Sequence, residues 1–366
     1  MIWFFFIVLA AGAAAQLLSL RRAKRNGRLE YRCAPSIAAC EPGETFTLYS
    51  TVTNLSRQRS PVLRVEEHFP QRMEIHEAEQ FSVRHYAGDY RLYTSTVLLR
   101  GRQRVRRSLR ASLPARGAYE FSDAIFRAGD FLGFHEYSYP RENSETIVIY
   151  PARLEREDFT RTFTNALDEL SPMRRLLEDP ISVCGYRDYT GREPLRSISW
   201  KQTAVRGELT VKEYDPTWRP AVAIALDLEF HGEFDLHRAR QEFCFSMART
   251  ICEYLEDRQT EYRLSTNAIL SGEIMRFYSS GGRGAGWSDL LYALGAAKSG
   301  ECCSLDALLA AACSDAYRER SLLLLTTRPS EAVLEAVARA QAATGVNITP
   351  LYASDFITAT AREATS

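Results

Sequence analysis

Neither sign of charge is in excess in this sequence: 46 Lys and Arg side chains balance 46 Asp and Glu in 366 residues. A chain without a bulk field has no long-range means of gathering a polyanion, which excludes a dedicated nucleic-acid binder. Paired cysteine motifs are also lacking. Cys33, Cys40, Cys184, Cys244, Cys252, Cys302, Cys303 and Cys313 form no Cys-x-x-Cys pair, and their mostly apolar or helical surroundings suit buried thiols in a reducing compartment. Spacing alone leaves a Cys33–Cys40 bridge open. There is no G-x-x-x-x-G-K-[ST] loop, no G-x-S-x-G elbow and no H-E-x-x-H helix. The glycine-rich residues 279–286 carry no phosphate-binding lysine. The expectation is therefore a non-enzyme without a cofactor.

The sequence does contain one long apolar run, residues 2–20, broken only by Gln16 and Ser19. Nineteen helical residues nearly span a bilayer. Its basic residues Arg21, Arg22, Lys24, Arg25 and Arg28 follow the run, which favours a retained single-pass anchor in the cell membrane with the body in the cytoplasm. The rival is a cleaved leader using Ala13 and Ala15. A chain of this length is expected to hold two folded domains besides.

Residues 29–151 alternate or mix β-branched and polar side chains between turn-rich pieces such as Glu41-Pro42-Gly43, Ala87-Gly88-Asp89 and Ala115-Arg116-Gly117. This predicts an antiparallel β-sandwich. Within it Arg100, Arg102, Arg104 and Arg106 recur at every second residue, with Arg107 and Arg110 close by. On a strand this is either a solvated outer face or a surface for anionic lipid or an acidic partner. Residues 152–217 read as a connector with short helices interrupted at Pro172. From residue 218 to 366 buried strands alternate with helices: strands at 221–226, 262–270, 321–327 and 347–353, helices at 236–257, 287–297, 305–313 and 330–343. That order predicts a doubly wound, Rossmann-like α/β domain.

The connector holds the most individual stretch, Gly185-Tyr186-Arg187-Asp188-Tyr189 through Arg196-Ser197-Ile198-Ser199-Trp200-Lys201 to Ala204-Val205-Arg206 and Leu209. With Lys212, Glu213, Arg116-Gly117-x-Tyr119, residues 129–134 and Tyr150-Pro151, it resembles the signature of the bacterial family catalogued as domain of unknown function 58. Arg192 and Ser199 stand where that family carries acidic residues. The resemblance implies a C-terminal von Willebrand factor A-like domain, and partnership with MoxR-type AAA+ ATPases and transglutaminase-like membrane proteins. It makes Arg187, Tyr189, Arg196, Trp200, Lys201 and Arg206 the candidate partner-binding residues. The competing role for Trp200, Tyr189 and Ile198 is to pin a crossing segment against its neighbour.

Domains of the von Willebrand type hold magnesium with an Asp-x-Ser-x-Ser loop, a threonine and a second aspartate, because a hard cation needs a cage of oxygens. Here the loop reads Asp227-Leu228-Glu229-Phe230-His231, and the later loop Thr326-Thr327-Arg328-Pro329 carries no aspartate, so the adhesion site is degenerate. Asp227, Glu229 and His231 remain weak metal candidates within a run that continues through Glu233, Asp235 and His237. Two functions follow: a membrane-anchored interaction or assembly adaptor, or a metal-dependent binder or envelope-related enzyme using the 227–237 loop.

Overall fold

The computed structural model describes residues 2–24, 29–60, 62–76, 82–85, 90–121, 123–129, 135–170, 183–189, 198–214, 221–230, 236–315 and 321–357. The chain divides into two compact units, Met1–Ala152 with Leu294–Ala296, and Arg153–Ala293 with Ala297–Ser366.

In the first unit, strands Leu29–Pro35, Phe46–Asn54, Arg104–Ser112 and Glu74–Ile75 form one antiparallel sheet in that spatial order. A second antiparallel sheet orders Glu136–Arg141, Ala124–Gly129, Leu63–Pro70, Tyr90–Val97 and Ser82–His85. The alternation in the sequence is obeyed residue by residue: along Phe46–Asn54 every even-numbered side chain is buried and every odd one half-buried. Inward side chains build two apolar clusters, one around Leu48, Phe69, Phe121 and Ile147 and one around Val52, Leu63, Val65 and Phe126. Each such side chain contributes about 1.5–3 kcal/mol by leaving water. The outer edge of strand Leu29–Pro35 is covered by side chains, a common protection against edge pairing. Asn143 Oδ1 accepts from Cys33 N at 3.1 Å, its Nδ2 donates to Cys33 O at 3.0 Å, and Arg141 Nε donates to Leu29 O at 2.7 Å.

The arginine ladder is shorter on the structure than on the sequence. Arg100 and Arg102 precede the strand, Arg102 with a left-handed φ of 57°, beside a Gly101 whose added Cβ would collide with the Arg57 carbonyl. Arg104, Arg106 and Arg110 share the outer face, and Arg107 points inward. The Ala115–Gly117 turn ends in strand Gly117–Phe121; the expected turn at 87–89 lies outside the described residues.

In the second unit a five-stranded sheet runs Met275–Ser279, Glu261–Thr266, Ala221–Leu226, Ser321–Thr326, Asn347–Tyr352. Leu322 to Leu325 are all fully buried, because this strand is covered on both faces. Ala223, Ala225, Leu322 and Leu324 pack with helices Leu305–Asp315 and Glu331–Thr344. The alternate residues face helices His237–Asp257 and Glu157–Leu170. Helix Glu331–Thr344 is bounded as its sequence demands: Ser330 Oγ accepts from Val333 N at 3.2 Å, and Gly345, at φ 69°, closes it in the left-handed region.

Several expectations are corrected. Among the described residues no helix is long and apolar enough to cross a membrane. The N-terminal helix Ile2–Lys24 continues through Arg21, Arg22 and Lys24, while Arg25 and Arg28 lie outside the described residues; the single-pass, cytoplasm-facing placement is withdrawn. The described strands are divided among six sheets. The C-terminal sheet is mixed, with Met275–Ser279 antiparallel to Glu261–Thr266, and the expected doubly wound, von Willebrand factor A-like assignment is withdrawn. Helix Glu157–Leu170, read as connector, packs in the second unit, where Phe159 and Phe163 meet Phe243, Phe356 and Tyr254. Pro172 lies outside the described residues.

Candidate functional site

The described residues of the signature stretch form an antiparallel strand pair and one short helix. Strand Val183–Asp188 pairs antiparallel with Thr210–Tyr214, setting Arg187 opposite Val211 and Asp188 opposite Thr210. Tyr189 N donates to Leu209 O and Ser199 N to Thr210 O, each at 2.8 Å. Ile198 and Val211, bridged to each other and 5% and 1% exposed, anchor the crossing. The helix Trp200–Arg206 then ends on Gly207, whose φ of 79° only glycine adopts readily and whose N–H reaches Thr203 O.

This helix buries none of its residues. Trp200 is 65% exposed, and Val205, Leu209 and Tyr186 are exposed too. Arg187, Lys201 and Arg206 are exposed, as are Asp188 and Glu208. Of the three residues that could pin the segment, Ile198 is buried, Tyr189 half-buried and Trp200 outward. Arg196, with Arg192, lies outside the described residues.

A second polar constellation sits where the parallel strands of the second unit end. From strand Ala221–Leu226 the chain goes first to its neighbour on one side, Glu261–Thr266, and later to its neighbour on the other, Ser321–Thr326, and such a switch opens a crevice at the carboxyl ends of the sheet. Asp227, fully buried, fills it. Its Oδ2 accepts from Thr326 Oγ1 at 2.7 Å; its Oδ1 accepts from Asn267 Nδ2 at 2.9 Å and from Glu229 N at 3.0 Å. Asn267 returns the favour through Oδ1, which accepts from Leu228 N at 2.9 Å, and its amide also donates to Cys303 O at 3.2 Å. Gln241 Nε2 holds Leu228 O at 2.6 Å. Glu229 turns away and accepts from Leu305 N, the first residue of helix Leu305–Asp315, where a carboxylate is favoured by the helix dipole. Thr327 Oγ1 is buried without a hydrogen-bond partner.

Asp227 and Glu229 thus serve different tasks, the first tying three strand ends together and the second capping a helix. His231, Glu233 and Asp235 lie outside the described residues. Among the described residues no three His, Cys, Asp or Glu side chains group so as to hold a metal ion. Sequence reading missed Asn267, the hub of the nest; its one signal was an amide directly after an apolar strand, where a buried polar group must find partners. The surrounding thiols are held protonated: burial, then the Asp227 charge, pushes Cys244 up, and burial, then Cys302, pushes Cys303 up to about 11.

No protein-family model and no curated protein matches the chain. Solved structures do match over about a third of it. A non-cellulosomal cohesin from the archaeon Archaeoglobus fulgidus is 9% identical over 37% of this chain and 98% of its own, with a TM-score of 0.24. The matching chain of a type I cohesin–dockerin complex from Clostridium thermocellum is 11% identical over 34% and 99%, at 0.23. The CARDB domain of a Pyrococcus furiosus protein, solved with di-metal ions, is 11% identical over 31% and 86%, at 0.20. The three are β-domains, and none of them is a von Willebrand factor A domain.

Proposed function

We propose that the chain is an interaction or assembly adaptor that captures a protein partner through residues 186–189 and 198–209. The partner is the MoxR-type AAA+ ATPase implied by the family resemblance, with a transglutaminase-like membrane protein as a further member of the assembly. The observation that carries this reading is the helix Trp200–Arg206, which buries none of its own residues and holds Trp200 65% exposed. A large indole left in water beside cations has the composition of an interface hot spot. The complementary surface is an apolar pocket for Trp200 rimmed by carboxylates that meet Arg187, Lys201 and Arg206. Such a role asks for no reacting group.

The test is capture of a purified MoxR-type ATPase by the immobilised full chain. Trp200→Ala is expected to weaken capture by at least about tenfold, the scale of a hot-spot truncation. Its thermal midpoint should stay near that of the parent, since exposed substitutions change stability by roughly 0.5 kcal/mol or less. Lys201→Glu combined with Arg206→Glu should slow association most at low salt. Capture indifferent to all three changes ends the proposal, and a collapse of the thermal midpoint in Trp200→Ala returns that residue to a structural role.

A further inference from the structure

The outer face of the first sheet holds a feature that the adaptor role leaves unused. A cleft of about 660 Å³ opens over strands Leu29–Pro35, Phe46–Asn54 and Arg104–Ser112, walled on one side by residues 142–145. Its floor follows from register. Glu30, Thr53 and Arg104 stand in one cross-strand row, and Arg32, Thr51 and Arg106 in the next; residues directly opposite in antiparallel pairs project to the same side.

Charge across this cleft is arranged by side. Arg104 and Arg106 line the strand Arg104–Ser112 side, while Glu30 and Glu142 stand on the opposite side. Arg32, on the same strand as Glu30, is already engaged: its Nη2 donates to Glu145 at 2.8 Å. The two outer arginines are held in place, Arg106 stacked 3.6 Å over the Tyr49 ring and Arg104 Nε donating to Thr53 Oγ1 at 3.3 Å. Stacking on a ring leaves a guanidinium's N–H edges available for a carboxylate. The lining therefore carries three cations, Arg32, Arg104 and Arg106, against three anions, Glu30, Glu142 and Glu145. That balance does not select a polyanion. It selects a ligand with one charge of each sign.

The separation of the two sides sets the length. Strands Leu29–Pro35 and Arg104–Ser112 flank one central strand, so they lie two inter-strand spacings, roughly 10 Å, apart. An extended chain advances about 3.3 Å per residue, so a peptide of about three residues places its termini at that distance. We propose that this cleft binds a free oligopeptide of about three residues, its carboxylate on Arg104 and Arg106, its ammonium toward Glu30 and Glu142, and its backbone over the hydroxyls of Thr51 and Thr53.

Isothermal titration of the full chain with trialanine tests this directly, beside N-acetyl-trialanine and trialanine amide, each of which lacks one terminal charge. Unblocked trialanine is expected to bind, and removal of either charge to weaken it by at least about tenfold, the scale of a lost charge-assisted hydrogen bond. The variant Arg104→Ala with Arg106→Ala, changing two exposed side chains, should no longer distinguish trialanine from its amide. Because the blocked peptides are compared on the unaltered protein, the outcome does not depend on the variant's folding. Absence of trialanine binding, equal binding of all three peptides, or a variant that still prefers the free carboxylate would each overturn the proposal.

Discussion

Glu67 in the first unit and Asp227 in the second are both carboxylates with no exposed surface, and they are accommodated in opposite ways. Glu67 lies between the two sheets. Its Oε2 accepts from Arg107 Nη2 at 2.9 Å, and its Oε1 from Tyr31 Oη at 2.9 Å and Ser50 Oγ at 2.5 Å. Arg107 also donates to Ser95, on the Glu67 sheet, so the network ties both layers. Asp227 sits at a sheet's end, held by a hydroxyl, a side-chain amide and a backbone N–H. An ion pair inside a sandwich fixes how two layers face each other. A carboxylate ringed by neutral donors fixes how loops leave one layer, because its two oxygens can gather donors from several strands at once.

The comparison breaks most sharply at Arg107. Arg107→Ala leaves Glu67 buried without its cation, at a cost of about 3–5 kcal/mol, measurable as a lowered urea midpoint. Glu67→Leu paired with Arg107→Met is expected to recover most of that loss, since a well-packed apolar pair often replaces a buried ion pair at little cost. A double variant no more stable than Arg107→Ala would mean that the network's hydroxyl contacts, and not charge balance, hold the sheets.

Asp227→Asn asks the corresponding question of the second unit. The amide keeps the shape but weakens acceptance from Asn267 and from Glu229 N, and about 1.5–3 kcal/mol is expected to go with the charge-assisted bonds. The loss should be local, seen as faster hydrogen exchange at Leu228 and Glu229 before any change at Leu322 to Leu325. Uniform acceleration across the sheet would make Asp227 part of the global core instead.

How much of this was legible beforehand differs between the units. Alternation located the strand Phe46–Asn54, and the leucine run located Ser321–Thr326, since burial on one face or on both leaves a periodic trace. The arginine ladder misled because period two does not say where a strand begins: Arg100 and Arg102 belong to the turn before it. The 227–237 loop read as a metal candidate because spacing shows ligand types but not their commitments, and Glu229 is committed to Leu305 N. Glu67 left no pattern at all, and Asn267 left only its place directly after an apolar strand. Each is a single polar residue whose partners come from far along the chain, 40 residues away for Asp227 and Asn267 and 40 for Arg107 and Glu67.

The two carboxylates also share a neighbour of one type, and this gives the finest comparison. Cys33 is raised above its ordinary range by burial and then by the Glu67 charge, opposed by the Tyr31 hydrogen bond and by Arg107. Cys244 is raised by burial and then by Asp227. A thiol whose folded pKa is raised contributes stability that is fully present below its unfolded value, about 8.5, and is lost as pH rises beyond it, because the unfolded chain releases a proton that the folded chain keeps. Each thiol should therefore steepen the alkaline fall of stability by on the order of 1 kcal/mol per pH unit. Urea midpoints for Cys33→Ala and Cys244→Ala between pH 8 and 10 isolate this term. A cavity lowers stability equally at every pH, so the slope and not the intercept carries the answer. Both variants are expected to flatten the slope, and parallel curves for parent and variants would show that neither thiol is held above its ordinary range in the folded protein.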